Sequence, residues 1–503
     1  MVSSLEEIRP LEKGCLEQRN TIRRDSSNDD FSDLVQSHEI LVEEYLGLLS
    51  SLEPDLAFKA IARMWVKGIE PFVALLGKLP QASEHLIRFL YESYRSIGCL
   101  YEKYQHHKLA LRECLGDLAA YLARYNKERS EEWRNIASDK YNSLVHITPE
   151  VGRLFYRLAL LAKGNKLEQM QFLYRSLGSK LPFEKPVALF FEGFPTMDAE
   201  SQQIDVAFVI MHIDLFRGRL ADLHTFQRCF LERLQNHIQR DNSSRKNFGI
   251  HLAIINVTPL YRPLTNFTGS RSLASDLAFS TLKVVLRYER KENALPHVHI
   301  LLSFLLCLTT LDGGAIIADK APWKDICIFV NSLSRNPDSQ AEPRLKSVED
   351  LLPEDHIMHG QFWAQEYPDE KWFKASYEHE IVAERSSMEV RRINRIRWLI
   401  KEIATVSMQA ANGILLIYSA QTMDTLRQNQ PVGPYDIQGA WCQKAAFYIA
   451  SYYARQPRIA PIIWCMALSV VTSLLSSSLT SFPNPCCQKV SPPLYQYYFF
   501  EVL

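Results

Sequence analysis

A row of arginines in the second half of the chain carries the densest positive charge. Four of the seven residues from 391 to 397 are arginines, and apolar residues recur through the same segment at helical spacing. Guanidinium groups at this density could contact nucleic-acid phosphates, with salt-dependent and weakly sequence-specific binding. The alternative is an exposed basic face without a ligand. The arginines are Arg391, Arg392, Arg395 and Arg397, and the apolar stripe is Ile393, Ile396, Ile400 and Ile403.

A second basic row lies nearer the N-terminus. Lys59, Arg63 and Lys67 are four residues apart, so a helix places them on one face. Most rows of this kind are only solvated. Lysine and arginine together number 57, as do aspartate and glutamate. Affinity for an anion must therefore come from a local patch and not from net charge.

No pattern in the sequence indicates catalysis. The chain has no nucleophile motif, no glycine-rich phosphate loop and no metal-ligand spacing. His106 with His107, and His297 with His299, are close pairs, but neither has the i, i+4 spacing that puts two zinc ligands on one helical face. Packing or surface roles are favoured for them. We therefore expect a protein that is not an enzyme and that uses no cofactor and no metal.

The composition is that of an ordinary soluble globular protein. Hydrophobic residues make up 47% and charged residues 23% of 503 residues, a length that suggests roughly three domains at about 150 residues each. Ten cysteines occur without a CxxC pair, and no apolar signal segment opens the chain. These features predict free thiols in a reducing compartment.

Helical periodicity dominates, and strict strand alternation is nearly absent, which predicts an all-α fold. Residues 109–183 are typical of two degenerate tetratricopeptide repeats, which need further helices on both sides to bury their faces. Gly116 interrupts an apolar helical run at a cost of about 1 kcal/mol relative to alanine, so we expect a neighbouring helix to pack closely there. The spacing that indicates the second helix of the first repeat is Ala137, Tyr141, Leu144 and Pro149.

Changes in composition predict the domain organisation. Residues 1–35 are charged and polar, which predicts a disordered lead-in. Residues 36–190 form the predicted repeat domain, and residues 200–450 a second helical domain with a surface loop at 335–349. Residues 459–503 are apolar, then rich in serine and aromatic residues. They could be a buried helix, a membrane anchor or a stretch outside the fold, and the anchor is disfavoured because a span needs about 20 apolar residues.

Short motifs in order along residues 41–404 carry a family resemblance. They are Leu115-Gly116-Asp117-Leu118, Ala123-Arg124-Tyr125, Leu158-Ala159-Leu160-Leu161-Ala162, Tyr174-Arg175-Ser176-Leu177, Leu181-Pro182-Phe183, Leu295-Pro296-His297-Val298-His299, Leu352-Pro353-Glu354-Asp355 and Arg395-Ile396-Arg397. Together they resemble the family of the telomerase subunit "ever shorter telomeres one" and of the SMG adaptors five, six and seven of nonsense-mediated mRNA decay.

The resemblance implies a domain similar to 14-3-3 proteins, followed by a helical hairpin domain of the DNA- or RNA-binding type. It also implies a phosphoserine site, with Lys67, Arg124 and Tyr125 at the matching positions. The implied partners are a phosphorylated segment of a decay helicase, telomerase RNA or single-stranded nucleic acid, and adaptors of the same family, in nucleus and cytoplasm. A membrane is not an expected partner. The nuclease domain that some relatives carry is not expected here, because the C-terminal sequence lacks its carboxylates.

Phosphate binding suits these residue types, since a phosphate carries a charge of about −1.5 to −2 and pairs well with a guanidinium fork. The alternative for Arg124 is an ion pair with Glu128 on its own helix. One departure from the family stands near Leu158, where Phe155-Tyr156-Arg157 replaces an asparagine that relatives often carry. For the whole chain, the rival interpretation is a generic helical-repeat scaffold that its tail could tether to a membrane.

Overall fold

The computed structural model describes the chain in segments. The described residues are 6–49, 51–162, 164–193, 203–219, 223–240, 246–261, 270–308, 317–318, 320–333, 351–364, 373 and 388–410. The predicted loop at 335–349 and the tail at 459–503 lie outside them, as do residues 411–450 of the predicted second domain.

The described chain is all-α, which confirms the predicted fold class. Within it, the extended pairings are two isolated bridges, Val151 with Leu181 and Ser179 with Gln361. The helices form two compact units. The first holds the described residues up to 149 and those from 153 to 162, and the second holds 150–152 and the described residues from 164 to 410. The boundary between residues 162 and 164 lies inside the second predicted repeat and separates its two helices.

In the first unit, proline and serine residues mark where helices begin. Pro54 is the first residue of a helix, and a π-helical turn at Trp65–Ile69 follows that helix directly. The helices are α1 (Arg9–Thr21), α2 (Asn28–Leu48), α3 (Pro54–Met64), α4 (Glu70–Leu76), α5 (Ser83–Lys103), α6 (Lys108–Tyr125), α7 (Ser130–Ile147) and α8 (Gly152–Leu161).

The second unit is built around two helices that are buried on all sides. These are α13 and α15, which pack on each other, each contain a proline, and are exposed only near their first turns. The helices of this unit are α9 (Lys166–Gly178), α10 (Glu184–Glu192), α11 (Ile204–Arg217), α12 (Leu223–Arg240), α13 (Lys246–Tyr261), α14 (Ser270–Tyr288), α15 (Lys291–Leu308), α16 (Trp323–Ser332), α17 (Pro353–Met358) and α18 (Met388–Ala410).

The N-terminal segment is helical, so the prediction of a disordered lead-in at 1–35 is wrong for its described residues. α1 buries Cys15, and Ile22 is buried just after its end. α2 begins with a capping box, in which the Ser27 hydroxyl accepts from the Asp30 amide at 3.2 Å and the Asp30 carboxylate accepts from the Ser27 amide at 2.7 Å. The polar residues from Ser27 to Asp30 therefore mark the start of α2.

The close approach expected at Gly116 is present. α6 and α7 pack against each other, and a Cβ on Gly116 would lie 2.8 Å from Cε1 of Tyr141. Tyr141 is fully buried, together with Ala137 and Leu144 on the same helix. The packing of the Tyr141 ring into this gap offsets the helix-weakening effect of the glycine.

A buried ion cluster joins α15, α17 and α18. Arg392 donates from Nε and Nη2 to the two carboxylate oxygens of Glu354 at 2.6 and 2.8 Å. His299 Nδ1 lies 3.1 Å from Oε1 of Glu354, and Arg395 lies 3.9 Å from Asp355. Burial raises the pKa of Glu354, but the hydrogen bonds from Arg392 and His299 outweigh it and hold this pKa at about 2.

This cluster corrects the prediction that the arginine row of α18 contacts nucleic acid. Arg392 is 1% exposed and Arg395 is 5% exposed, because the helix turns both toward the carboxylates of α17. Arg391 and Arg397 are half-buried, and Arg397 donates from Nη2 to the Leu333 carbonyl at 2.9 Å. The four arginines therefore do not form one exposed phosphate-binding face.

We expect Glu354→Gln to lower the free energy of unfolding by about 3–5 kcal/mol at pH 7, because it leaves Arg392 buried without a counter-charge. Since the folded pKa of Glu354 is lowered, its contribution is present above pH 4.5 and is lost as the pH falls toward 2. Urea denaturation of the full chain at pH 7 and near pH 3 tests both points, and the difference from wild type should shrink at the lower pH. Glu292→Gln, exposed on α15, is the control. Equal stability of the Glu354 and Glu292 variants at pH 7 would contradict the argument.

Candidate functional site

One face of α6 carries a line of polar residues through the first unit. Glu113, Asp117 and Tyr121 are four residues apart and therefore stand above one another on the helix. Glu113 and Asp117 are buried, and Tyr121 is partly exposed. Arg124 and Tyr125 follow on the last turn, where Arg124 is exposed and Tyr125 half-buried. The line therefore runs from a buried centre to the surface.

α8 supplies the positive charges at the buried end of this line. Arg153 donates from Nε and Nη2 to the two carboxylate oxygens of Glu113, both at 2.6 Å. One turn later, Arg157 Nε lies 3.2 Å from Oδ1 of Asp117, which also accepts the Tyr141 hydroxyl at 2.5 Å. Each buried carboxylate thus has its own guanidinium, which buried charges require.

A third carboxylate leaves the centre with an excess of acidic groups. Glu70, in the first turn of α4, is close enough to be influenced electrically by Arg157 and Asp117. Burial raises the pKa of Glu70, the Asp117 charge raises it further, and Arg157 opposes both. Burial also raises the pKa of Asp117, with Arg157 opposing and Glu113 adding to the rise. Three carboxyl groups facing two guanidiniums make this centre unsuited to a phosphate.

Arg124 and Tyr125 lie together at the surface end of the line. The guanidinium carbon of Arg124 is 5.5 Å from the centre of the Tyr125 ring, which is cation–π distance. Among the described residues no carboxylate lies within the 4.0 Å ion-pair distance of Arg124, so the alternative pairing with Glu128 is not present. A Cβ on Gly77 would lie 2.2 Å from the Tyr125 hydroxyl, so the absence of a side chain at Gly77 leaves room for the Tyr125 side chain.

Lys67 is placed differently from the other two predicted phosphate ligands. It is exposed on the π-helical turn, where Trp65 stacks on Tyr121 of α6 with ring centres 6.2 Å apart. Residues two apart on a helix do not share a face, so Lys67 points away from the side that Trp65 packs. Its positive charge lowers the pKa of Glu12 on α1. In the described structure, Lys67 makes no hydrogen bond or ring contact with Arg124 or Tyr125.

A buried histidine of α2 forms a hydrogen bond with the π-helical turn that carries Lys67. His38 of α2 donates from Nδ1 to the Gly68 carbonyl at 2.5 Å. Burial lowers the pKa of His38 to about 4, against a smaller rise from this hydrogen bond. The ring is therefore neutral near pH 7 and holds the widened turn in place without adding a charge.

Sequence reasoning missed the partners of the acidic groups. Asp117 stood in the family motif and Arg157 in the segment that departs from it, but nothing local indicated that they pair across 40 residues. The spacing of Glu113, Asp117 and Tyr121 on one helical face was a usable signal. No local signal marked Glu12, because its partner Arg63 lies 51 residues away in the sequence.

The described residues lack two other kinds of feature. They contain no group of three histidine, cysteine, aspartate or glutamate side chains placed to hold a metal ion. None of the described helices is long and apolar enough to cross a membrane.

Comparison with solved structures found chains of similar fold. The chain resembles a protein in the structure of the C. elegans SMG5-SMG7 complex with a TM-score of 0.44 and 12% sequence identity, covering 75% of this chain and 93% of that one. No family model matches the sequence, and no curated protein matches it. A similarity at this level assigns neither a family nor a function to the chain.

We expect Arg157→Met to lower the free energy of unfolding by about 3–5 kcal/mol at pH 7, because Asp117 loses its buried counter-charge. The loss should be smaller near pH 4, since protonation of Asp117 and Glu70, whose folded pKa values are raised, removes the uncompensated charge. Urea denaturation at both pH values measures this. Arg129→Met, at an exposed arginine paired with Glu132, is the control and should change little. A loss that grows toward acid pH would show that the centre does not carry excess negative charge.

Proposed function

We propose that this chain is a non-enzymatic adaptor, and that its first unit binds a phosphorylated segment of a partner protein through Arg124 and Tyr125. The observation that carries the proposal is the state of Arg124. Its guanidinium is exposed, is stacked near an aromatic ring and has no carboxylate partner among the described residues.

Neighbouring arginines show that this state is unusual on this part of the surface. Arg129 and Arg134, both near the start of α7, pair with Glu132 and Glu131 on the same helix. Arg112, earlier on α6, donates to the Tyr101 hydroxyl at 3.1 Å from Nε. A guanidinium without such a partner has N–H donors available for an external anion. Two oxygens of a phosphate can accept hydrogen bonds from these donors at the same time.

The acidic centre defines where the phosphate would bind. Glu70 and Asp117 lie on the same side of α6 as Tyr121 and nearer the buried end of the polar line. Their carboxylates would repel a phosphate bound beside them. Arg124 lies beyond Tyr121 at the exposed end of α6, and the Tyr125 ring stabilises its guanidinium there. Lys67 would contribute a longer-range attraction and not a direct contact.

The sequence resemblance supports a finer proposal. The motif Ala123-Arg124-Tyr125 and its companions suggest a role in nonsense-mediated mRNA decay or telomerase regulation, with a phosphorylated helicase-type partner and adaptors of the same family. That role would place the chain in nucleus and cytoplasm. A nucleic-acid partner has less support, because Arg392 and Arg395 are buried.

The test is a titration of the full chain with a phosphoserine peptide library and its unphosphorylated counterpart. We expect Arg124→Ala to weaken phosphopeptide binding roughly ten- to a hundredfold, the equivalent of one charge-assisted hydrogen bond of about 1.5–3 kcal/mol. Arg124→Lys should weaken it almost as much, because lysine lacks the planar fork. Lys67→Glu should have a smaller effect.

Arg129→Ala is the matched control, since Arg129 is an exposed arginine in the turn that follows α6 but pairs with Glu132. Its affinity for the phosphopeptides should equal that of wild type. If Arg124→Ala binds as tightly as Arg129→Ala while both retain the wild-type melting temperature, the phosphate site is elsewhere or absent, and the generic scaffold becomes the better description.

A further inference from the structure

The carboxylate of Glu12 on α1 lies in a socket formed by α2 and α3. Arg63 donates to its two oxygens, from Nε at 2.7 Å and from Nη2 at 2.8 Å. Tyr45 donates its hydroxyl to the same carboxylate. Lys67, one turn beyond Arg63, adds a second positive charge. Burial raises the pKa of Glu12, but the bonds from Arg63 and Tyr45 outweigh this and lower it.

The donor set of this socket is complementary to an anion. It combines a guanidinium fork, which binds carboxylate or phosphate at two oxygens, with a hydroxyl donor and a further cation. Tyr45 is 1% exposed, so its hydroxyl is held rigidly, whereas the Arg63 side chain is 31% exposed and reachable from solvent. Lys59 continues the same basic face of α3 and is exposed.

α1, which supplies the occupant, packs on the unit through few apolar side chains. Cys15 is buried within the helix and Ile8 and Ile22 are buried at its two ends, whereas Leu11 and Leu16 are 38% and 49% exposed. Gly14 weakens the helix internally, and a Cβ there would meet nothing, so packing does not require a glycine. Segments with few buried apolar contacts open at low free-energy cost.

The first turn of α2, the next helix of the unit, is stabilised without α1. The capping box of Ser27 and Asp30 satisfies the first amides of α2 from within α2 itself. Phe31, Leu34 and Val35 then anchor that helix in the core. Release of α1 would therefore expose Tyr45 and Arg63 on a helix pair that remains folded, next to Lys67, which is already exposed.

We propose that Tyr45, Arg63 and Lys67 form a binding site for an acidic segment of a partner protein, and that α1 occupies this site in the free chain as an internal ligand through Glu12. The partner segment takes the place of α1 and puts a carboxylate or a phosphoserine where Glu12 lies. A protein segment fits because the present occupant is itself a helix, lying on α2 and the π-helical turn. This site shares no contact residue with Arg124 and Tyr125, so the two proposals can fail separately.

The experiment measures binding of a labelled peptide of residues 6–24 to the full chain in solution. Glu12→Gln should bind this peptide at least about tenfold tighter than wild type, because the internal competitor has lost its charge-assisted hydrogen bonds. Adding Arg63→Gln to that variant should abolish the gain. A peptide with phosphoserine at position 12 should bind at least as tightly as the parent, and one with glutamine there at least about tenfold more weakly.

Glu17→Gln is the matched control, because Glu17 lies on α1 but is exposed and pairs only with Lys13 at 3.7 Å. It should bind the peptide as wild type does. Hydrogen exchange of the wild-type chain provides a second measurement that requires no variant, and the amides of α1 should exchange at least about tenfold faster than those of α2. Equal peptide affinity of wild type and Glu12→Gln, or α1 amides as protected as those of α2, would show that α1 is a fixed part of the fold.

Discussion

The first unit depends on the pairing of Asp117 with Arg157. A carboxylate buried on a central helix is tolerable only with a cation and hydrogen bonds in reach, and α8 and α7 supply these through Arg157 and the Tyr141 hydroxyl. The same Tyr141 ring packs on Gly116, one residue from Asp117. Three helices are thus fixed relative to one another around one residue pair, and the glycine in the middle of α6 follows from that arrangement.

The second unit obeys the same rule with different residues. Glu354 of α17 is buried with Arg392 of α18 and His299 of α15. Two short motifs that look unrelated in the sequence, one around His299 and one around Glu354, are therefore parts of one ion cluster. The spacing of the arginines of α18 suggests a basic surface. Two of them, Arg392 and Arg395, are instead buried, because they neutralise Glu354 and Asp355.

These pairings decide where an external anion can bind in the first unit. Its buried carboxylates Glu113 and Asp117 already have guanidinium partners, and the centre near Glu70 holds more acidic than basic groups. The two sites proposed for an external anion, at Arg124 and at Arg63, therefore lie outside this centre. In a protein of zero net charge, anion affinity has to come from such local groups.

The sequence by itself determined the local features of this protein. Helical periodicity predicted an all-α fold, and Gly116 predicted a close helix contact, because each depends on residues within one or two turns or on a known repeat spacing. Only the tertiary structure decided which charges meet. Glu12 pairs with Arg63 across 51 residues and Glu354 with Arg392 across 38. An amphipathic pattern shows that a helix has a buried side, but the neighbour that covers it determines whether an arginine at its edge faces water or a carboxylate.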